Sequence, residues 1–283
     1  MDYSDAKPTD GVYKKCSNFQ QESSTSNSSE QFSKNYSKCH FTVECDTNST
    51  KPGLALIIYN CFDSHTEIAP RINSQRDAED LKEALTFLNF KIIFRKDRSV
   101  TEMKDLISSL SEHSNDYSCF VCAILTYSKD DDYIYGTDNF VSFDSLLKVL
   151  IKKENSTLAA KPKFFIVDTS PVVKVNVQHD GLFGFFKKSI NYTTIPLWAN
   201  LLTVSSGFCS ESRTKDRSCF IQTLCSVLKE YGLKLELHQL MTQLNVRLND
   251  IHNQNNHSGH LASVSSTMTK ELRFKAHREE IKQ

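Results

Sequence analysis

The chain has 283 residues, with 34 basic and 34 acidic side chains and nine cysteines. Its length fits one large domain or two small ones at roughly 150 residues each, and zero net charge gives no field to steer nucleic acid or an anionic membrane onto it. No apolar run reaches the ~18 residues of a membrane helix, the polar start MDYSDAKPTD is unlike a signal peptide, and an odd number of cysteines scattered through apolar stretches reads as reduced thiols of a cytoplasmic protein.

Residues 1–50 contain ten Ser and four Asn but no Leu and no Ile. Such a segment buries too little apolar surface to offset its ordering entropy, so it reads as a disordered tail. The pattern changes at Lys51-Pro52-Gly53. Leu54 to Tyr59 is continuously apolar and of strand length, as in a strand covered on both faces. Ser74, with Asp77 three residues later, resembles a helix start, and Ala78, Leu81, Leu85 and Leu88 recur at helical spacing. Lys91 to Phe94 reads as a second strand. Val100, Met103, Ile107 and Leu110 mark a second helix, capped by Ser99 or Thr101.

Cys119 to Leu125 is a third buried strand, Ser145 to Lys152 a short helix, and Phe164 to Val167 a fourth strand. Residues 168–195 are irregular, with Pro171, Gly181 and Gly184, and a loop of that length marks function or disorder. A strand at Leu197 to Val204 follows. Phe220, Leu224, Leu228 and Tyr231 line one further helix, and Leu237, Leu240, Leu244 and Leu248 another. A polar loop at 252–260 leads to a last strand near Val264 to Met268. Strand alternating with helix predicts an α/β fold with a mostly parallel central sheet flanked by helices.

Two patterns invite a metal. Cys119 and Cys122 form a C-x-x-C, but residues three apart on a strand point to opposite faces, so core packing is the better reading. His252, His257 and His260 sit in an Asn-rich stretch with no Cys or carboxylate at ligand spacing. Neither pattern calls for a metal or another cofactor. Lys187-Lys188 is too small a basic patch for nucleic acid.

Seven segments in order then resemble one family. They are Gly53 to Ile58, Arg71 with Asp77 to Leu81, Cys119 to Leu125, Tyr135-Gly136-Thr137-Asp138, Lys161 to Ile166, Phe220 to Cys225, and Thr269 to Leu272. Over about residues 51–275 the chain resembles the caspases, specifically effector-type caspases with short prodomains. The resemblance implies a short prodomain at 1–50, a large-subunit-like region at 51–170, an intersubunit linker at 171–195 and a small-subunit-like region at 196–283. It also implies pairing of two units through the last strand, at Val264, Ser266 and Met268.

Caspases cut after Asp with a Cys nucleophile and a His, and here the resemblance breaks. Tyr127 stands at the histidine's place, and a phenol with pKa near ~10 is a poor base at neutral pH. Ser128 stands where the family has an oxyanion-hole glycine. Ser170 replaces the nucleophile, and a serine hydroxyl is weak without a partner base. Serine chemistry with His179 is disfavoured because no acid follows that His and Pro171 lacks a backbone N–H.

The family holds the substrate carboxylate with two Arg and one Gln. Arg71 matches the first Arg, Asp168 replaces the Gln, and Ser212 falls at the second Arg, with Arg213 one residue away. Arg71 and Asp168 are therefore expected to pair with each other. Val43 to Asp46 and Val177 to Asp180 are tetrapeptides ending in Asp, and Asp46 and Asp180 are candidate processing sites. These readings imply a catalytically inactive homologue whose partner is an active caspase, or a second copy of itself. The alternatives are a dominant-negative inhibitor, a decoy for caspase inhibitor proteins, or a serine-dependent peptidase using Ser170.

Overall fold

Leu54 to Tyr59 is apolar without a break because both of its faces are covered. In a computed structural model of the chain it lies in strand β1 (Gly53–Tyr59), and every residue of that strand is buried. The structure describes residues 51–110, 112, 115–130, 132–150, 161–173, 199–206, 217–254 and 261–276. The tail with Asp46, nearly all of the linker with His179 and Asp180, Ser212, Arg213, His257 and His260 lie outside the described residues.

After β1 come α1 (Ser74–Phe87), β2 (Phe90–Lys96), α2 (Val100–Ser109), β3 (Phe120–Asp130), β4 (Tyr133–Tyr135) and β5 (Phe140–Ser142). Helix α3 (Phe143–Val149), β6 (Lys163–Pro171), β7 (Leu201–Ser205), α4 (Cys219–Tyr231), α5 (Leu237–Gln254) and β8 (Ser263–Ser266) complete the order. The strands form one sheet in the order β2-β1-β3-β6-β7-β8. All neighbours in that path are parallel except β7 and β8. The expected α/β architecture with a mostly parallel sheet is therefore present. Among the described residues no helix is long and apolar enough to cross a membrane.

Alternation along each strand sorts side chains into two cores. Ala55 and Ile57, Val121 and Ala123, and Phe164 and Ile166 face α1, α4 and α5. Leu56 and Ile58, Cys122 and Ile124, and Phe165 and Val167 face α2 and α3. The C-x-x-C obeys the same rule, with Cys119 in the first cluster and Cys122 in the second. Both sulfurs are core atoms and face away from each other.

Several boundaries differ from the sequence reading. Strand β3 continues past Leu125 to Asp130 because its end pairs antiparallel with β4. The β4–β5 hairpin has strands of three residues, too short for a period of two to register. Helix α1 does begin at Ser74, as the sequence suggests, but Ser74 is not its cap. Its N-cap is Asn73, without a side-chain cap bond, and Ser74 and Asp77 are buried and bonded elsewhere. Ser99 does cap α2, in a reciprocal box with Glu102. Helix α3 begins two residues earlier than Ser145, at Phe143, where the Ser142 hydroxyl accepts from the Ser145 N–H. Helix α5 runs to Gln254 and takes in His252, which had been assigned to the polar loop.

The last strand ends at Ser266, so Met268 is not an edge residue; it packs against the α1/α4/α5 core. The two sheet edges differ in charge. Strand β2 carries Lys91, Arg95 and Lys96, whereas β8 is Ser-Val-Ser-Ser, with all four residues exposed.

Gly136 is a close-approach glycine. A Cβ there would lie 2.5 Å from the backbone nitrogen of Val100, at the start of α2. That nitrogen donates to Asp138 at 2.8 Å, and Thr137 N–H donates to the Arg98 carbonyl at 3.0 Å. The Tyr-Gly-Thr-Asp stretch is thus a docking turn for the α2 N-terminus. Gly136→Ala should cost about 1–3 kcal/mol by overpacking, read as a lower denaturant midpoint with an unchanged slope.

Candidate active site

The carboxyl ends of parallel strands are where such sheets hold their sites. Strands β3 and β6 lie side by side there, and their register pairs Leu125 with Asp168, Tyr127 with Ser170, and Ser128 with Pro171. Paired residues on neighbouring strands point to the same face. Tyr127 and Ser170 are therefore immediate neighbours, with Asp168 two residues back on the same side.

Asp168 is fully buried. Its Oδ2 meets Nη2 of Arg71 at 3.2 Å, and its Oδ1 accepts from the Ser218 hydroxyl at 2.8 Å. The pair expected from the sequence is thus in place. Arg71 is also buried, and its Nη1 donates to the Ser74 hydroxyl at 3.3 Å. Ser218 is the N-cap of α4, and its oxygen accepts from the Ile221 N–H. Its own backbone N–H donates to Asp77 at 2.8 Å. Arg217 extends the network outward, with Nε 3.0 Å from Asp77 and Nη2 on Asp80. Burial raises the Asp77 pKa and the nearby Asp168 adds to this, while the Ser218 N–H and Arg217 work against it.

Tyr127 has no exposed surface. Its hydroxyl donates to the Ala69 carbonyl at 3.0 Å, its ring lies 5.2 Å from that of Phe62, and the Arg71 guanidinium sits 5.5 Å from its centroid. The phenol therefore anchors the loop between β1 and α1, the same loop that presents Arg71. Burial raises its pKa further from neutrality, partly offset by Arg71. Phe62 is held at a left-handed φ of 59°. This is a strained geometry for a bulky residue. Asp97 stabilises it by accepting from the N–H groups of Cys61 and Phe62 at 2.6 and 3.2 Å.

Ser170 is buried, and among the described residues its hydroxyl has no hydrogen-bond partner. The nearby Ser128 hydroxyl donates to the Ser170 carbonyl at 3.3 Å, not to its side chain. His65 lies in the same loop, but its Nδ1 accepts from two backbone N–H groups, those of Glu67 and Ile68. None of the buried thiols with a resolved shift is activated. Burial pushes Cys61 up to about 11 and Cys225 up to about 12, and raises Cys122 further still. Among the described residues no group of three His, Cys, Asp or Glu could hold a metal.

The model of the caspase domain matches residues 52–273. The chain belongs to the caspase family. It is 28% identical over 266 residues to Caspase-7 of Gallus gallus, covering 82% of this chain and 80% of that protein. It is 30% identical over 205 residues to Caspase-3 of Xenopus laevis, covering 70% and 72%. Caspase-6 of Gallus gallus matches at 27% over 255 residues, covering 82% and 83%. The segments that carried the caspase resemblance fall on β1, the loop and α1, β3, the Gly136 turn, β6, α4 and the stretch after β8.

Sequence reasoning found Arg71, Asp168, Tyr127, Ser128 and Ser170, which this caspase-family chain brings together at one strand end. It missed Ser218, Asp77 and Arg217. The signal for Ser218 was a capping serine just before the apolar repeat of α4. Asp77 was legible only as part of a helix start and a family-like segment, and Arg217 only as a charge.

Two outcomes follow for these groups. Tyr127→Phe should cost about 1 kcal/mol at neutral pH through the lost bond to Ala69. Because the folded phenol holds its proton more tightly than the unfolded one, Tyr127 contributes no pH dependence below pH ~10 and loses stability as pH rises through its folded pKa. The stability difference between wild type and Tyr127→Phe should therefore shrink in strong alkali, as measured by denaturant melts across pH. Alkylation near neutral pH, read by mass spectrometry, should leave Cys61, Cys122 and Cys225 unmodified in the native chain and modify all three in denaturant.

Proposed function

We propose that the chain is a caspase homologue without peptidase activity, which binds an active caspase in the cytosol as a heterodimer and raises that partner's activity. The observation that carries this reading is how the strand-end groups are used. By the family resemblance, Tyr127 occupies the histidine's position, and its hydroxyl is given to the Ala69 carbonyl. Ser170 occupies the nucleophile's position, and its buried hydroxyl has no hydrogen-bond partner among the described residues. A serine without a partner base is a poor nucleophile. Arg71 is already paired with Asp168, which leaves a substrate carboxylate to face a like charge.

The pairing half of the proposal rests on β8. Its four exposed, uncharged residues offer an edge that another strand could extend. Both cores are filled, so the chain has a stable surface to lend to a partner. A homodimer through the same edge competes with the heterodimer. A dominant-negative inhibitor would use this surface too, with the opposite effect on the partner's rate. A decoy for caspase inhibitor proteins would instead need their binding surface.

The test is turnover of a fluorogenic peptide ending in Asp. The purified chain alone should give none. Titrated into an active caspase of the same organism, it should raise that enzyme's rate saturably. A fall in rate would turn the reading to inhibition. Turnover by the chain alone that Ser170→Ala abolishes would overturn it in favour of a serine peptidase.

A further inference from the structure

The way Asp168 is held is that of a bound ligand. One carboxylate oxygen sits on a guanidinium and the other on a hydroxyl, and these donors, among the described residues, come from separate parts of the chain. Arg71 belongs to the loop after β1, and Ser218 caps α4, beyond the segment 174–198. Each donor is fixed from behind. The Arg71 backbone N–H donates to the Cys61 carbonyl at 2.8 Å and its Nη1 to Ser74 at 3.3 Å, while Ser218 is held by Asp77 and Ile221. Arg71, Ser218 and Asp168 are 5%, 2% and 0% exposed. A preorganised Arg–hydroxyl pair with this burial is a site for a carboxylate.

We infer that Asp168 is an internal ligand: its carboxylate fills a carboxylate-binding site built by Arg71 and Ser218, closing that site to outside carboxylates and clamping α4 to the loop after β1. The inference deepens the reading of the site as non-catalytic and rests on it for its meaning. The chain then needs no bound substrate to order this end of the sheet, because the ordering contact is covalently present. The site would take a small carboxylate once the internal one is removed.

Chemical rescue tests this directly. Asp168→Ala leaves Arg71 buried without its anion and opens room for formate. Its melting temperature should fall by about 10 °C. Sodium formate at roughly ten times its dissociation constant should return about 3–6 °C. Sodium chloride at equal ionic strength should return none, and formate should not move the wild type or the Arg71→Ala/Asp168→Ala double variant. Asp168→Asn keeps the shape but not the charge; it should lose stability and ignore formate, and it carries the test where the alanine variant does not fold. A stable asparagine variant, or a formate response shared by wild type or the double variant, would overturn the inference. The readout involves no peptidase, so its failure leaves the pairing with a caspase standing. Failure of that pairing likewise leaves this result intact.

Discussion

Asp168 lies at the end of β6 with no solvent, and a carboxyl group taken out of water costs several kcal/mol unless donors replace the water. The replacement donors dictate where neighbouring elements can be. Arg71 must reach in from the loop after β1, which fixes the path of residues 60–73 over the sheet end. Ser218 must face the same carboxylate, which fixes where α4 begins. The Tyr127 hydroxyl on Ala69 and the Asp97 carboxylate under Phe62 then fasten the loop at two more points. This end of the sheet is arranged around the buried Arg71–Asp168 pair, and the remaining contacts tie that arrangement down.

The fold itself rests on different residues. Alternating apolar side chains of β1, β3 and β6 form a core on each face of the sheet, and Tyr127, Asp168 and Ser170 belong to neither. Burial of this kind depends on apolar area. Strand-end residues could therefore change type without disturbing the caspase fold beneath them. On the proposed reading this happened, and the groups that remain there stabilise a loop and a helix start. A phenol suits that work. It is large enough to pack on Phe62 and Arg71, and its hydroxyl needs one acceptor, which Ala69 supplies.

What the sequence makes legible follows from how local the cause is. Strands buried on both faces announce themselves as unbroken apolar runs, so β1, β3 and β6 are readable, as is the Ser99 cap of α2 with its Glu102. The Arg71–Asp168 pair is readable because a family pattern assigns both positions to one pocket. Ser74 and Asp77 mark the start of α1 but hide a second role, because a capping pattern and a tertiary contact use the same residue types. Ser74 accepts from Arg71, and Asp77 from Ser218, 141 positions away. No local rule reports a partner at that distance. The β4–β5 hairpin and the position of Met268 off the edge strand were hidden for a related reason. Three-residue strands are too brief for periodicity, and a strand's end is set by its neighbour's length.

The unequal edges of the sheet limit stoichiometry. Lys91, Arg95 and Lys96 put repulsion and a hydration shell along β2, so two such edges do not meet. Of the two ends of the β2-β1-β3-β6-β7-β8 path, β8 is the one free of charge. On the proposed reading β8 is the adhesive edge, so joining a partner there would consume it and leave the charged β2 strands at the ends of the path. On that reading assembly by this path would stop at a pair, and charge on the remaining ends disfavours filament growth from them.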